Sequence, residues 1–119
     1  MRGRGSLVFV SSVAGLDPMP GIGAYSVSKA ALNHLTRVLA KECGAAKICV
    51  NAIAPGLIET HFAAALIANP AIHQSLIRQT ALGRHGQPDE IVGAALFLAP
   101  SASDFMTGQV LVVDGGVRM

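Results

Sequence analysis

Apolar positions along this chain switch between unbroken short runs and a helical spacing. Leu7-Val8-Phe9-Val10 is an unbroken apolar run. It ends in Ser11-Ser12 and a loop carrying Gly15, Pro18, Pro20, Gly21 and Gly23. A run of that length bounded by turn residues predicts a strand buried on both faces, as in a parallel sheet. From about Ala24 to Cys43 there is no Gly or Pro, and Ala30, Leu32, Leu35, Val38 and Leu39 recur at helical spacing. This predicts a helix that Gly44 should stop. A second buried strand is predicted over 47–53, closed by Pro55-Gly56. The mixed stretch 59–79, interrupted by Asn69-Pro70, predicts a flap of one or two short helices. Pro88-Asp89-Glu90 places a proline in a first helical turn with two acids that complement the positive helix end. That helix should run through Ile91, Val92, Ala95, Leu96 and Leu98 and stop before Pro100. A last apolar strand is predicted over 109–113, closed by Asp114-Gly115-Gly116. The order β-α-β-α-α-β implies parallel strands joined by right-handed crossovers.

Composition narrows the field without choosing within it. At 119 residues, 51% hydrophobic and 13% charged, the chain suits a single domain with most elements buried, not a disordered polymer. The net charge of +2 is matched by Arg2 and Arg4 near the start. With no basic stripe, nucleic-acid binding is not expected. No apolar run approaches the ~20 residues of a membrane span, and four apolar residues after the basic start are too few for a signal peptide. Cys43 and Cys49 lack metal or redox spacing, which suits reduced thiols in a cytoplasmic protein. His34, His73 and His85 share no ligand spacing, so no metal is expected.

The candidate chemistry lies early. Tyr25, the one tyrosine, precedes Lys29 by four residues and follows Ser12 by thirteen. A phenol, an ammonium and a hydroxyl are what proton transfer at an alcohol or carbonyl oxygen requires. A free tyrosine titrates near 10. Lys29, one helical turn on, and a place in the first helical turn would both favour the phenolate. Ser12, at the carboxyl end of its strand, lies where ligands collect on a parallel sheet.

The chain resembles the C-terminal half of a short-chain dehydrogenase/reductase. The resemblance rests on G-S-L-V-F-V-S-S-V-A-G, Y-S-V-S-K, V-N-A-I-A-P-G-L-I-E-T, A-L-G-R-H-G-Q-P-D-E-I, F-L-A-P-S-A-S-D-F-M-T-G-Q and V-D-G-G, in that order. It implies an α/β fold: part of a Rossmann-like, doubly wound parallel sheet, about three strands with flanking helices. It implies an oxidoreductase using NAD or NADP to interconvert a secondary alcohol and a ketone, of the carbonyl reductase or 3-oxoacyl reductase kind. Tyr25 would be the general acid/base, Lys29 would also bond the nicotinamide ribose, and Ser12 would orient the substrate oxygen. Pro55 and Gly56 would bring backbone close to the nicotinamide, Ile58 would offer its backbone to the carboxamide, and Thr60 its hydroxyl. Residues 57–82 would form the substrate lid, with His61, Phe62, Leu66 and Ile67 as wall candidates. The helix carrying Tyr25 would pack on a partner subunit in a homodimer or homotetramer, with Ala30, Ala31 and Ala40 allowing close approach.

The family's T-G-x-x-x-G-x-G and N-N-A-G segments do not occur in these 119 residues. A second expectation follows: the chain is a truncated, inactive piece, an association module at most. The Leu7–Val10 strand would then be an exposed apolar edge. Asn51 is expected to anchor backbone, Arg84 to be structural, and Asp89 and Glu90 to serve the helix start.

Overall fold

The computed structural model describes residues 4–118; Arg2 lies outside them. Strand β1 (Gly5–Val10) leads through a 3-10 turn (Val13–Gly15) to helix α1 (Gly23–Cys43). Strand β2 (Ile48–Pro55) follows, then helices α2 (Ala64–Ala68), α3 (Pro70–Ile77) and α4 (Asp89–Phe97), and strand β3 (Val110–Val113). All pairing is parallel, in the order β1-β2-β3, with Leu7 opposite Val50 and Ile53 opposite Leu111. The predicted flap is two helices because Asn69 ends one and caps the next. Its side chain accepts from the N–H groups of Ala71 and Ile72, with Pro70 in the first turn.

Position in the sheet decides burial. β2 is central, and five consecutive residues, Val50 to Ala54, are buried. Successive strand residues face opposite sides, so both faces of β2 are covered. β1 is an edge strand, and there the prediction of burial on both faces fails: Leu7 is 40% and Val10 60% exposed. The apolar run was a sound strand signal, but among the described residues β1 pairs on one side alone, with β2. The expected apolar edge is present.

Of two further expectations, one holds and one changes. Gly44 ends α1 as expected, and its right-handed backbone (φ −58°) continues into a 3-10 turn. The left-handed residue is Lys47, at φ 60°. Ala40 does not face outward for a partner helix. It is buried, and Gly108 approaches so closely that a Cβ there would sit 3.4 Å from the Ala40 Cβ. Ala30 and Ala31 are exposed, beside Val27, Leu35 and Val38 on the same helix.

No helix among the described residues is long and apolar enough to cross a membrane. No group of three or more His, Cys, Asp or Glu among them could hold a metal ion. Cys43 and Cys49 are free thiols.

Candidate active site

The turn after β1 and the start of α1 are locked together by polar contacts. Ser12 caps the 3-10 turn, its Oγ accepting from the Ala14 N–H at 3.1 Å. The Ser26 hydroxyl donates to the Ala14 carbonyl. Ser11, buried at the end of the edge strand, donates from Oγ to the Lys29 carbonyl at 3.4 Å. These serines pin α1 so that its first turns, which carry Tyr25 and Lys29, lie over the carboxyl ends of β1 and β2.

Gly15 makes the approach possible. A Cβ at this position would sit 2.6 Å from the Lys29 carbonyl carbon and 2.8 Å from the Ala30 nitrogen, both backbone atoms that cannot turn aside. Gly15→Ala is therefore expected to push α1 off the Ser12 turn and to cost about 1–3 kcal/mol as overpacking does. Urea denaturation checks this; a loss under about 0.5 kcal/mol would mean that the turn and helix separate freely.

Lys29 and Tyr25 form the charged end of the site. The Lys29 Nζ donates to the Val10 carbonyl at 3.1 Å and lies 5.6 Å from the centre of the Tyr25 ring. Tyr25 is the third residue of α1, where unpaired N–H groups favour developing negative charge. Phe62, from the segment before α2, stacks on the phenol with ring centres 5.3 Å apart and planes 25° apart.

A cavity of about 470 Å³ joins these groups to the end of β2. Ser12, Tyr25 and Lys29 line it, as do Pro55, Gly56, Ile58 and Thr60. Of the four wall candidates Phe62 and Leu66 line it, whereas His61 is exposed elsewhere and Ile67 takes no part. The sequence reading missed Met19, Ile22, Leu76, Pro88 and Ile91, which also line it. Met19 and Ile22 carried a faint signal: two large apolar residues set among Pro18, Pro20, Gly21 and Gly23.

The residues near β2 suit a nicotinamide. Gly56 donates to the Val113 carbonyl at 3.0 Å, and a Cβ on it would strike Asp114 at 2.7 Å. Its glycine is thus required by packing against Asp114. Ile58 bridges to Gly86, but the bonds run from Gly86 N–H to Leu57 and from Glu59 N–H to Gly86. Among the described residues no hydrogen bond engages the Ile58 N–H or carbonyl, so both can meet a carboxamide. The Lys29 ammonium has donors left beyond the one given to Val10.

Ion pairs brace the far side. Arg84 clasps Glu90 with two bonds of 2.8 and 2.7 Å, and Glu90 also accepts from the Gln87 N–H at 2.8 Å. The guanidinium first, and that N–H second, bring the Glu90 carboxyl down to about 2. Glu90 is therefore a helix-start acid held by Arg84. It does not act as half of a carboxylate pair with Asp89.

Comparison with known proteins agrees with this architecture. The family model described as Enoyl-(Acyl carrier protein) reductase matches residues 1–118. Dehydrogenase/reductase SDR family member 4 of Oryctolagus cuniculus is 44% identical over 115 residues, which is 97% of this chain and 44% of the relative. Gluconate 5-dehydrogenase of Gluconobacter oxydans is 41% identical over 118 residues, covering 99% of this chain and 46% of the relative. The chain thus spans less than half the length of these relatives. The crystal structure of a gluconate 5-dehydrogenase from Burkholderia cenocepacia, in complex with NADP and tartrate, superposes with a TM-score of 0.94. It is 40% identical, covering 97% of this chain and 45% of that one.

Proposed function

The chain belongs to the short-chain dehydrogenase/reductase family, and from that premise we propose that Ser12, Tyr25 and Lys29 handle the proton in an NAD(P)-dependent interconversion of a secondary alcohol and a ketone. The observation that carries the reading is that all three line one cavity with Pro55, Gly56, Ile58 and Thr60.

In the reducing direction Tyr25 gives its phenolic proton to the substrate oxygen, and in the oxidising direction the phenolate takes it back. Lys29 holds positive charge beside the ring, 5.6 Å from its centre. Ser12 donates its hydroxyl hydrogen to the same substrate oxygen while its own oxygen stays engaged by Ala14. Lys29, Ile58 and Thr60 would hold the ribose and carboxamide of NAD or NADP, which supplies or accepts the hydride when bound. The lid closes the opposite side and keeps water from the reacting atoms.

The wall favours one class of substrate. Met19, Ile22, Phe62, Leu66, Leu76 and Ile91 are all apolar, and the one charged side chain in the cavity, Lys29, is already bonded to Val10. Lys29 keeps donors beyond that bond, but the cofactor ribose would take them, so a substrate carboxylate would find no counter-ion reserved for it among these residues. We assign an uncharged carbonyl group on an apolar body, whether a small or steroid-like ketone or a 3-oxoacyl thioester.

The test joins residues 1–119 to the N-terminal half of the Gluconobacter oxydans relative and follows NADPH consumption with an apolar ketone. Ketone-dependent oxidation of NADPH is expected. A chimaera that folds and binds NADPH yet reduces no ketone would sink the reading. The 119 residues alone contain no glycine-rich phosphate turn and are expected to show no micromolar affinity for NADPH in a fluorescence titration. If they do bind at micromolar concentration, the cofactor is held in a way this account does not describe.

A further inference from the structure

The helices α2 and α3 roof the cavity through Leu66 and Leu76. Among the described residues, one hydrogen bond ties residues 64–78 to sequence-distant chain. His73 Nε2 on α3 lies 2.9 Å from His85 Nδ1 in the loop before α4. The far nitrogen of His85 lies 3.1 Å from Glu59 Oε2, and the same oxygen accepts from the Gln87 amide at 2.6 Å. Glu59 directly precedes Thr60, and Gly86, which follows His85, bridges to Ile58. The chain of contacts therefore runs from the roof of the cavity to its floor.

We propose that His73 and His85 are positioning residues that clamp the lid over the cavity, and that the clamp opens when the pair takes up a second proton. Two facing imidazole nitrogens can share one proton and no more. With both rings neutral, His85 donates to Glu59 and accepts from His73. With one proton added, His85 donates to both Glu59 and His73, and the clamp holds. With two added, N–H faces N–H at 2.9 Å between like charges, and the contact must open.

The other groups facing the pair support this order of events. Hydrogen bonds from Gln87 and then His85 hold the Glu59 carboxyl below the usual carboxylate range, so it stays anionic throughout. The Arg84 guanidinium donates to the His85 carbonyl at 3.2 Å and is neutralised by Glu90. Neither group changes charge while the imidazoles titrate.

The proposal deepens the oxidoreductase reading, since the lid covers the same cavity, but its test does not use activity. Amide exchange across Leu66–Ile77 in the 119-residue chain is measured at pH 8 and pH 5 and corrected for intrinsic rates. Opening is expected to increase about tenfold at pH 5, the effect of losing one hydrogen bond, while the amides of Val50–Ala54 keep their protection. In His73→Gln the amide can still bond His85 but cannot titrate, so the step should vanish. In the native chain the ring signals of His73 and His85 should titrate as a coupled pair. Equal opening at both pH values would overturn the clamp, as would a step that survives in His73→Gln or independent titration of the two rings. A pH step without ketone reduction in the chimaera would sink the functional reading alone, and the converse would sink the clamp alone.

Discussion

Asn51→Ala is expected to cost about 2–4 kcal/mol, because two part-buried backbone groups lose their partners at once. Asn51 is fully buried in β2. Its Nδ2 donates to the Met106 carbonyl at 2.8 Å, and its Oδ1 accepts from the Gln109 N–H at 3.0 Å. Those bonds fix the loop that delivers β3 to β2, and with it Asp114 against Gly56. A loss of that size in a chain of 119 residues corresponds to roughly 10 °C or more in Tm. Gln109→Ala is the control, since its exposed side chain donates only to the Thr107 carbonyl at 3.3 Å. It should cost under about 0.5 kcal/mol. Equal effects from the two substitutions, read by thermal denaturation, would show that Asn51 is not the anchor.

The elements were legible because their signals are local. Unbroken apolar runs, a helical period and Pro or Gly at the ends mark each strand and helix within a few residues. What failed depended on distant neighbours. Leu7 and Val10 read as buried and are exposed because β1 is an edge. Ala40 read as a surface contact and is buried because Gly108, far along the chain, packs on it. The site divides in the same way. Ser12, Tyr25 and Lys29 lie within eighteen residues on one turn and one helix, so spacing revealed them. Leu76 and Ile91 reach the cavity only through the path of the lid, and His73 meets His85 only because α3 folds back. No spacing in the sequence encodes those meetings. Ser26 and Gly15, which set the distance between turn and helix, looked like ordinary helix and loop residues.

Tyr25→Phe is expected to lower ketone reduction by about 10²–10⁴-fold, the usual worth of a general acid. The substitution removes one oxygen and leaves the ring, so the stacking on Phe62 and the contact with Lys29 should persist. No hydrogen bond engages the Tyr25 hydroxyl among the described residues, so little stability depends on it. The loss should therefore fall on kcat, with KM for the ketone nearly unchanged. Ser12→Ala differs, because it removes the cap that accepts from Ala14 as well as the hydroxyl at the substrate oxygen. Stability and activity should fall together in that variant.

The most direct measurement is a single-turnover comparison of the chimaera with its Tyr25→Phe form, both saturated with NADPH and an apolar ketone. Saturation removes binding from the rate, and one turnover removes product release. The account expects the Phe form to consume NADPH at least a hundredfold more slowly. Equal single-turnover rates would contradict it, because the proton would then be reaching the substrate from somewhere other than Tyr25.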